Sequence, residues 1–172
     1  MIIDINEISG HFIPAIYWGL TKSDMSWNPS LINRFPNSAA CWWHIIRVHP
    51  YYIHHVEDQT HELCLMAVQQ SSWVLRQIRK QTPEICLAAV SQNWRVLQCV
   101  DEQTPELCLE AVKNNGWALE YVKEPTPEIY LLAVKQNWRV MRYVTDADQT
   151  PEICKAALEQ NPSAALYIKI KR

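Results

Sequence analysis

Five threonines space this chain: Thr60, Thr82, Thr104, Thr126 and Thr150, at steps of 22, 22, 22 and 24 residues. Four are followed by Pro-Glu, and Thr60 by His-Glu. A period this short is one supersecondary unit, too small to bury its own apolar face, so neighbouring units must stack to make a core.

Residues 81–102, QTPEICLAAVSQNWRVLQCVDE, show what one unit holds. Thr82 is placed to cap a helix, its hydroxyl accepting from a free N–H of the first turn. Pro83 gives up an N–H that has no partner there. Glu84 puts negative charge at the positive end of the helix dipole. Ile85, Cys86, Ala89 and Val90 then fall on one helical face. The spacing predicts helix A over about Pro83–Gln92. Asn93 begins a second pattern. Its equivalents are His49, Ser71, Asn115, Asn137 and Asn161, and the next position admits Pro50 and Pro162, a cap followed by a proline-tolerant first turn. Helix B is predicted over about Trp94–Asp101, with Val96, Leu97 and Val100 inward. Neither helix is long enough to stand alone in water.

The frame of Thr104-Pro105-Glu106-Leu107-Cys108 through Asn115-Gly116 resembles an uncharacterised family of short α-helical repeats, a domain of unknown function associated with large DNA viruses and some bacteria. The likeness covers about residues 38–168. It implies an all-helical repeat fold and brings no activity or catalytic residues.

The expected architecture is all-α: an α-solenoid of about six stacked 22-residue hairpins. The repeats are 38–59, 60–81, 82–103, 104–125, 126–149 and 150–172, read as one continuous domain. Ser38 takes the place of the capping threonine in the first. Residues 1–37 read as a divergent N-terminal cap with a partial repeat, in which Asn28-Pro29-Ser30 resembles the start of helix B at Asn161-Pro162-Ser163. Thr145–Asp148 supplies two extra residues, expected to lengthen a loop without breaking the stack. A more polar last repeat, with Lys155 and the Lys169–Arg172 end, suits a solvated cap.

Composition narrows the function classes. With 3 glycines in 172 residues a β-rich fold is disfavoured. The formal charge of −2 gives no general attraction to nucleic acid or anionic membrane. The N-terminus lacks a basic segment and no apolar run reaches membrane length, so a cytoplasmic protein without membrane partners is expected. Cys64, Cys86, Cys108 and Cys154 share one repeat position, with Tyr130 in the fifth, and read as buried core thiols. Stacked helices lie about 8–10 Å apart, too far for disulfides between equivalent sites. His54 and His55 are consecutive, so they are expected on different helix faces, and no histidine spacing makes a metal set. A polar or pH-sensitive patch is the alternative for them. No phosphate loop, nucleophile elbow or metalloprotease motif is present, which argues against an enzyme and against any cofactor.

Repetition separates scaffold from variation. The fixed letters all have structural work, so function moves to the variable sites of helix B. The candidate partner-binding residues are Trp73, Arg76, Trp94, Arg95, Gln98, Trp117, Glu120, Trp138, Arg139 and Arg142. Two roles are open to the tryptophans: packing between hairpins with arginines stacked on them, or a contact surface of the residue types enriched at binding hot spots. The expectation is a non-catalytic protein-binding module, of the kind that serves as an inhibitor or immunity protein by occluding another protein. Single-stranded nucleic acid is the alternative, because Trp94-Arg95 and Trp138-Arg139 resemble base-stacking pairs. Equal counts of acidic and basic residues over 59–145, nine each, weigh against it.

Overall fold

Each threonine does begin an α-helix. A computed structural model of the chain describes residues 38–169, with side chains described from residue 41. Helix α1 spans Ser38–Val48, α2 His61–Gln70, α3 Pro83–Gln92, α4 Pro105–Asn114, α5 Pro127–Gln136 and α6 Pro151–Gln160. From α2 onward the preceding threonine is extended, and its hydroxyl accepts from the N–H three residues on. The Thr82–Ile85 bond is 3.4 Å and the Thr104–Leu107 bond 3.3 Å, both long. The capping role given to Ser38, the N-terminal cap of residues 1–37 and the last residues, 170–172, lie outside the described residues.

The second element differs from expectation. It is a six-residue 3-10 helix, and it stops two residues before Asp101: η1 Pro50–His55, η2 Ser72–Gln77, η3 Trp94–Cys99, η4 Gly116–Tyr121, η5 Trp138–Tyr143 and η6 Pro162–Tyr167. Asn93, Asn115, Asn137 and Asn161 cap η3 to η6, each accepting from the N–H two residues on. The helix stops because Val100 turns extended, at φ −82° and ψ 124°, while its N–H still reaches Leu97 O. That turn returns the Val100 side chain to the core, where it is 2% exposed.

The core is built from the predicted stripes. Ile85, Cys86, Ala89 and Val90 of α3 are buried, as are Val96 and Leu97 of η3. The alanines at the Ala89 position (Ala67, Ala111, Ala133 and Ala157) are all fully buried, small enough to let neighbouring helices approach closely. Cys154 departs from its equivalents and is half-buried.

The chain divides into two compact units, one ending at Arg79 and the other beginning at Lys80. In the first, α1 packs on α2 and η1 on η2. In the second, α3 to α6 pack in series and so do η3 to η6, with α4, α5 and α6 each also touching the 3-10 helix of the repeat before. The two extra residues near Asp146 lengthen the loop before α6 and leave α5 packed on α6 and η5 on η6. The last hairpin has polar Lys155 and Glu159 on its surface, and it also leaves Leu166 85% exposed.

Two rows of side-chain amides tie repeats together. The glutamine before each threonine holds the backbone where the 3-10 helices end. Gln103 Nε2 donates to Leu97 O at 3.1 Å and to Tyr121 O at 2.9 Å, and its Oε1 accepts from Lys123 N at 2.9 Å. Gln59 does the same with Ile53 O, Gln77 O and Arg79 N. Gln81 holds Cys99 O and Asp101 N, and Gln149 holds Tyr167 O and Lys169 N. The second row closes the C-terminal ends of the α-helices, whose last carbonyls have no partner within the helix. Asn114 donates to Val90 O, Gln136 to Val112 O and Lys113 O, and Gln160 to Val134 O.

The first row breaks once, at Pro125, which stands where the glutamine should be. In that repeat Tyr130 replaces the cysteine and donates to Asp148 Oδ2 at 3.3 Å, and Thr145 Oγ1 donates to the same carboxylate. The longer loop is what carries Asp148 there. The proline, the tyrosine and the insertion are one substitution in physical terms.

Candidate partner-binding face

The caps fix which side chains the 3-10 helices turn outward. With Val96, Leu97 and Val100 inward, the second and fifth residues of each helix face solvent. Arg95, Gln98, Glu120, Arg139 and Arg142 are exposed in the second unit. Trp94, Trp117 and Trp138 are half-buried there, as Trp73 is in the first unit.

The tryptophans combine both roles open to them. Each in the second unit meets a tyrosine of the next hairpin: Trp94 with Tyr121 at 6.0 Å between ring centres, Trp117 with Tyr143 at 6.2 Å, Trp138 with Tyr167 at 6.2 Å. Each also carries a guanidinium. Arg95 Cζ lies 4.4 Å from the Trp94 ring centre, Arg139 Cζ 5.1 Å from Trp138 and Arg142 Cζ 5.6 Å from Trp117, within cation–π range. In the first unit Arg76 lies 5.2 Å from Trp73. The stacks are held in place by the hairpins and keep one side in water.

The remaining candidates behave differently. Gln98 Nε2 donates to Arg95 O at 3.0 Å, a local bond within η3. Glu120 lies close enough to the Tyr143 hydroxyl to act on it electrostatically. Burial first, then the Glu120 carboxylate, hold that hydroxyl above its ordinary value. Trp117 sits one position later than Trp94 and Trp138 because Gly116 holds the first position. A Cβ on Gly116 would lie 2.9 Å from Ala133 O, so no side chain fits there.

Tyr121, Tyr143 and Tyr167 belong to this face and are absent from the sequence-derived set. They stand at one repeat position, and the visible signal was a tyrosine in the repeat after each of Trp94, Trp117 and Trp138.

The other reactive groups are built differently. All six cysteines are free thiols. Burial pushes Cys64 up to about 11, and it raises Cys86 and Cys108 as well. In the first unit the His54 and His55 rings touch, 3.8 Å between centres, contrary to their expected separation. His54 Nδ1 lies 2.6 Å from Tyr51 O, and Arg79 donates to the His54 and Glu57 carbonyls. Among the described residues no three His, Cys, Asp or Glu side chains converge on a metal position. Nor is any described helix long and apolar enough to cross a membrane.

This hairpin geometry is the setting for a family match. Residues 82–125 and 104–148 each match the model of a domain of unknown function (DUF4116). Together the matches span residues 82–148, consistent with an uncharacterised repeat family. Each DUF4116 match covers two hairpins, and the two overlap on the hairpin of α4 and η4. No curated protein and no solved structure matches the chain.

Proposed function

We propose that this chain is a non-catalytic protein-binding repeat module that acts by covering a partner's surface, as an inhibitor or immunity-type protein does. The observation that carries the reading is the row of arginine–tryptophan stacks on η3, η4 and η5, each braced by a tyrosine of the next hairpin. Tryptophan, tyrosine and arginine dominate binding hot spots because they bring large contact area at low entropic cost. A stack already held by its neighbours loses little further freedom on binding, which favours affinity.

Affinity capture from the source organism tests the reading. The wild-type chain retains a partner that the Trp117→Ala/Arg139→Ala variant loses, while both give the same helical circular dichroism. Equal capture by the two proteins would mean that binding runs through another face. Capture of single-stranded nucleic acid, released by moderate salt, would favour the alternative reading.

A further inference from the structure

We infer that the η3–η5 face takes an acidic segment of a partner protein, its carboxylates engaging Arg95, Arg139 and Arg142. This rests on the protein-binding reading above and adds the partner's chemistry. A contact with a ring spends none of a guanidinium's N–H donors on an acceptor oxygen, so they stay available to grip a carboxylate with two parallel bonds. Among the described residues Lys113–Glu110, Lys155–Glu159 and Lys169–Asp146 form ion pairs, and none of the three arginines takes part in one. The one carboxylate of the same row, Glu120, forms no ion pair with any of them. Three cations with unspent donors on an exposed face are electrostatically unfinished.

On this row Arg95, Arg139 and Arg142 outnumber the single carboxylate of Glu120. The chain carries −2 overall, and Glu84, Glu106, Glu128 and Glu152 lie exposed in the first turns of the α-helices. A nucleic acid needs many phosphate contacts over a broad basic surface to bind well. A short acidic segment needs only the row. Neighbouring stacked helices lie about 8–10 Å apart, so Arg95 and Arg139, two repeats apart, stand about 16–20 Å from each other. An extended segment advances about 3.3 Å per residue, which puts its acidic groups about five or six residues apart. The half-buried Trp117 ring lies between them and suits an apolar residue midway.

Selection of a 12-residue random peptide library on the full chain tests this, alongside the Arg95→Gln/Arg139→Gln/Arg142→Gln variant and a fluorescent oligothymidylate. The wild type enriches peptides with two acidic groups spaced about five or six residues apart. The triple variant does not, and Glu→Gln changes in those peptides weaken binding by about tenfold or more. The Arg→Lys triple variant keeps the acidic preference at lower affinity, which separates charge from loss of fold. Enrichment of neutral or basic peptides, or of the same peptides by the Gln variant, overturns the inference and leaves protein binding standing. Failure to enrich any peptide overturns the acidic segment, and lysate capture then decides the wider reading by itself. Oligothymidylate binding that needs the three arginines overturns it in favour of nucleic acid.

Discussion

One side chain shows how the repeats are joined. The Gln103 amide satisfies two carbonyls and one N–H where the 3-10 helices end, in its own repeat and the next. Gln103→Ala leaves these half-buried groups without partners, and urea denaturation should show a loss of about 2–3 kcal/mol. Gln98→Ala, which removes a single exposed local bond, should stay within about 0.5 kcal/mol. This contrast also marks where sequence reading stops. The threonine and asparagine caps were legible because they act two or three residues away. The glutamines recur as faithfully, yet their bonds reach 18 to 20 residues, and nothing in a linear pattern shows that span. At Cys64 burial raises the thiol from 9.0 to about 11. The folded chain therefore keeps a proton that the unfolded chain releases. Its contribution to stability is complete below pH 9.0 and is lost as pH rises toward 11. Urea midpoints should fall over that interval, and Cys64→Ala should make the fall shallower.

At the scale of the element, the α-helices were readable to the residue, since Pro83–Gln92 is also the predicted span of helix A. The 3-10 helices were not. Over six residues a period of 3.0 cannot be told from 3.6, and only the extended valine shows where the turn ends. The tyrosines of the aromatic face were missed for a related reason: each pairs with a tryptophan on another element. The packing of η4 makes a test. Gly→Ala inside a helix ordinarily stabilises by about 0.5–1 kcal/mol. Gly116→Ala should instead destabilise by about 1–3 kcal/mol, because the new Cβ meets the backbone of α5. Thermal melts of the two proteins check the sign. Around Pro125 the replacement bond is Tyr130 to Asp148. Tyr130→Phe and Asp148→Ala should each cost about 1 kcal/mol. In a double-mutant cycle their effects should couple rather than add.

Over the whole molecule, the two compact units meet in sequence at Arg79 and Lys80, within the run that leads into the repeat starting at Thr82. The stacking of hairpins inside each unit follows from the period, whereas the division between units had no counterpart in the pattern of repeats. Within the second unit the side-chain bonds between repeats reach at most 26 residues along the chain. Such a structure is a sum of near-neighbour terms, and its stability should change in steps with the number of repeats. Removing residues 104–125 sets Gln103 directly before Thr126 and so returns the glutamine that Pro125 displaced. Gln136 then meets Val90 O, the acceptor Asn114 uses now, and Trp94 meets Tyr143 in place of Tyr121. The shortened chain should fold cooperatively, with a lower urea m-value in proportion to the surface it no longer buries. The matching register of the amide rows therefore has a genetic meaning. Loss of the 22 codons for residues 104–125 would leave a joint, Gln103 before Thr126, whose amide is already encoded.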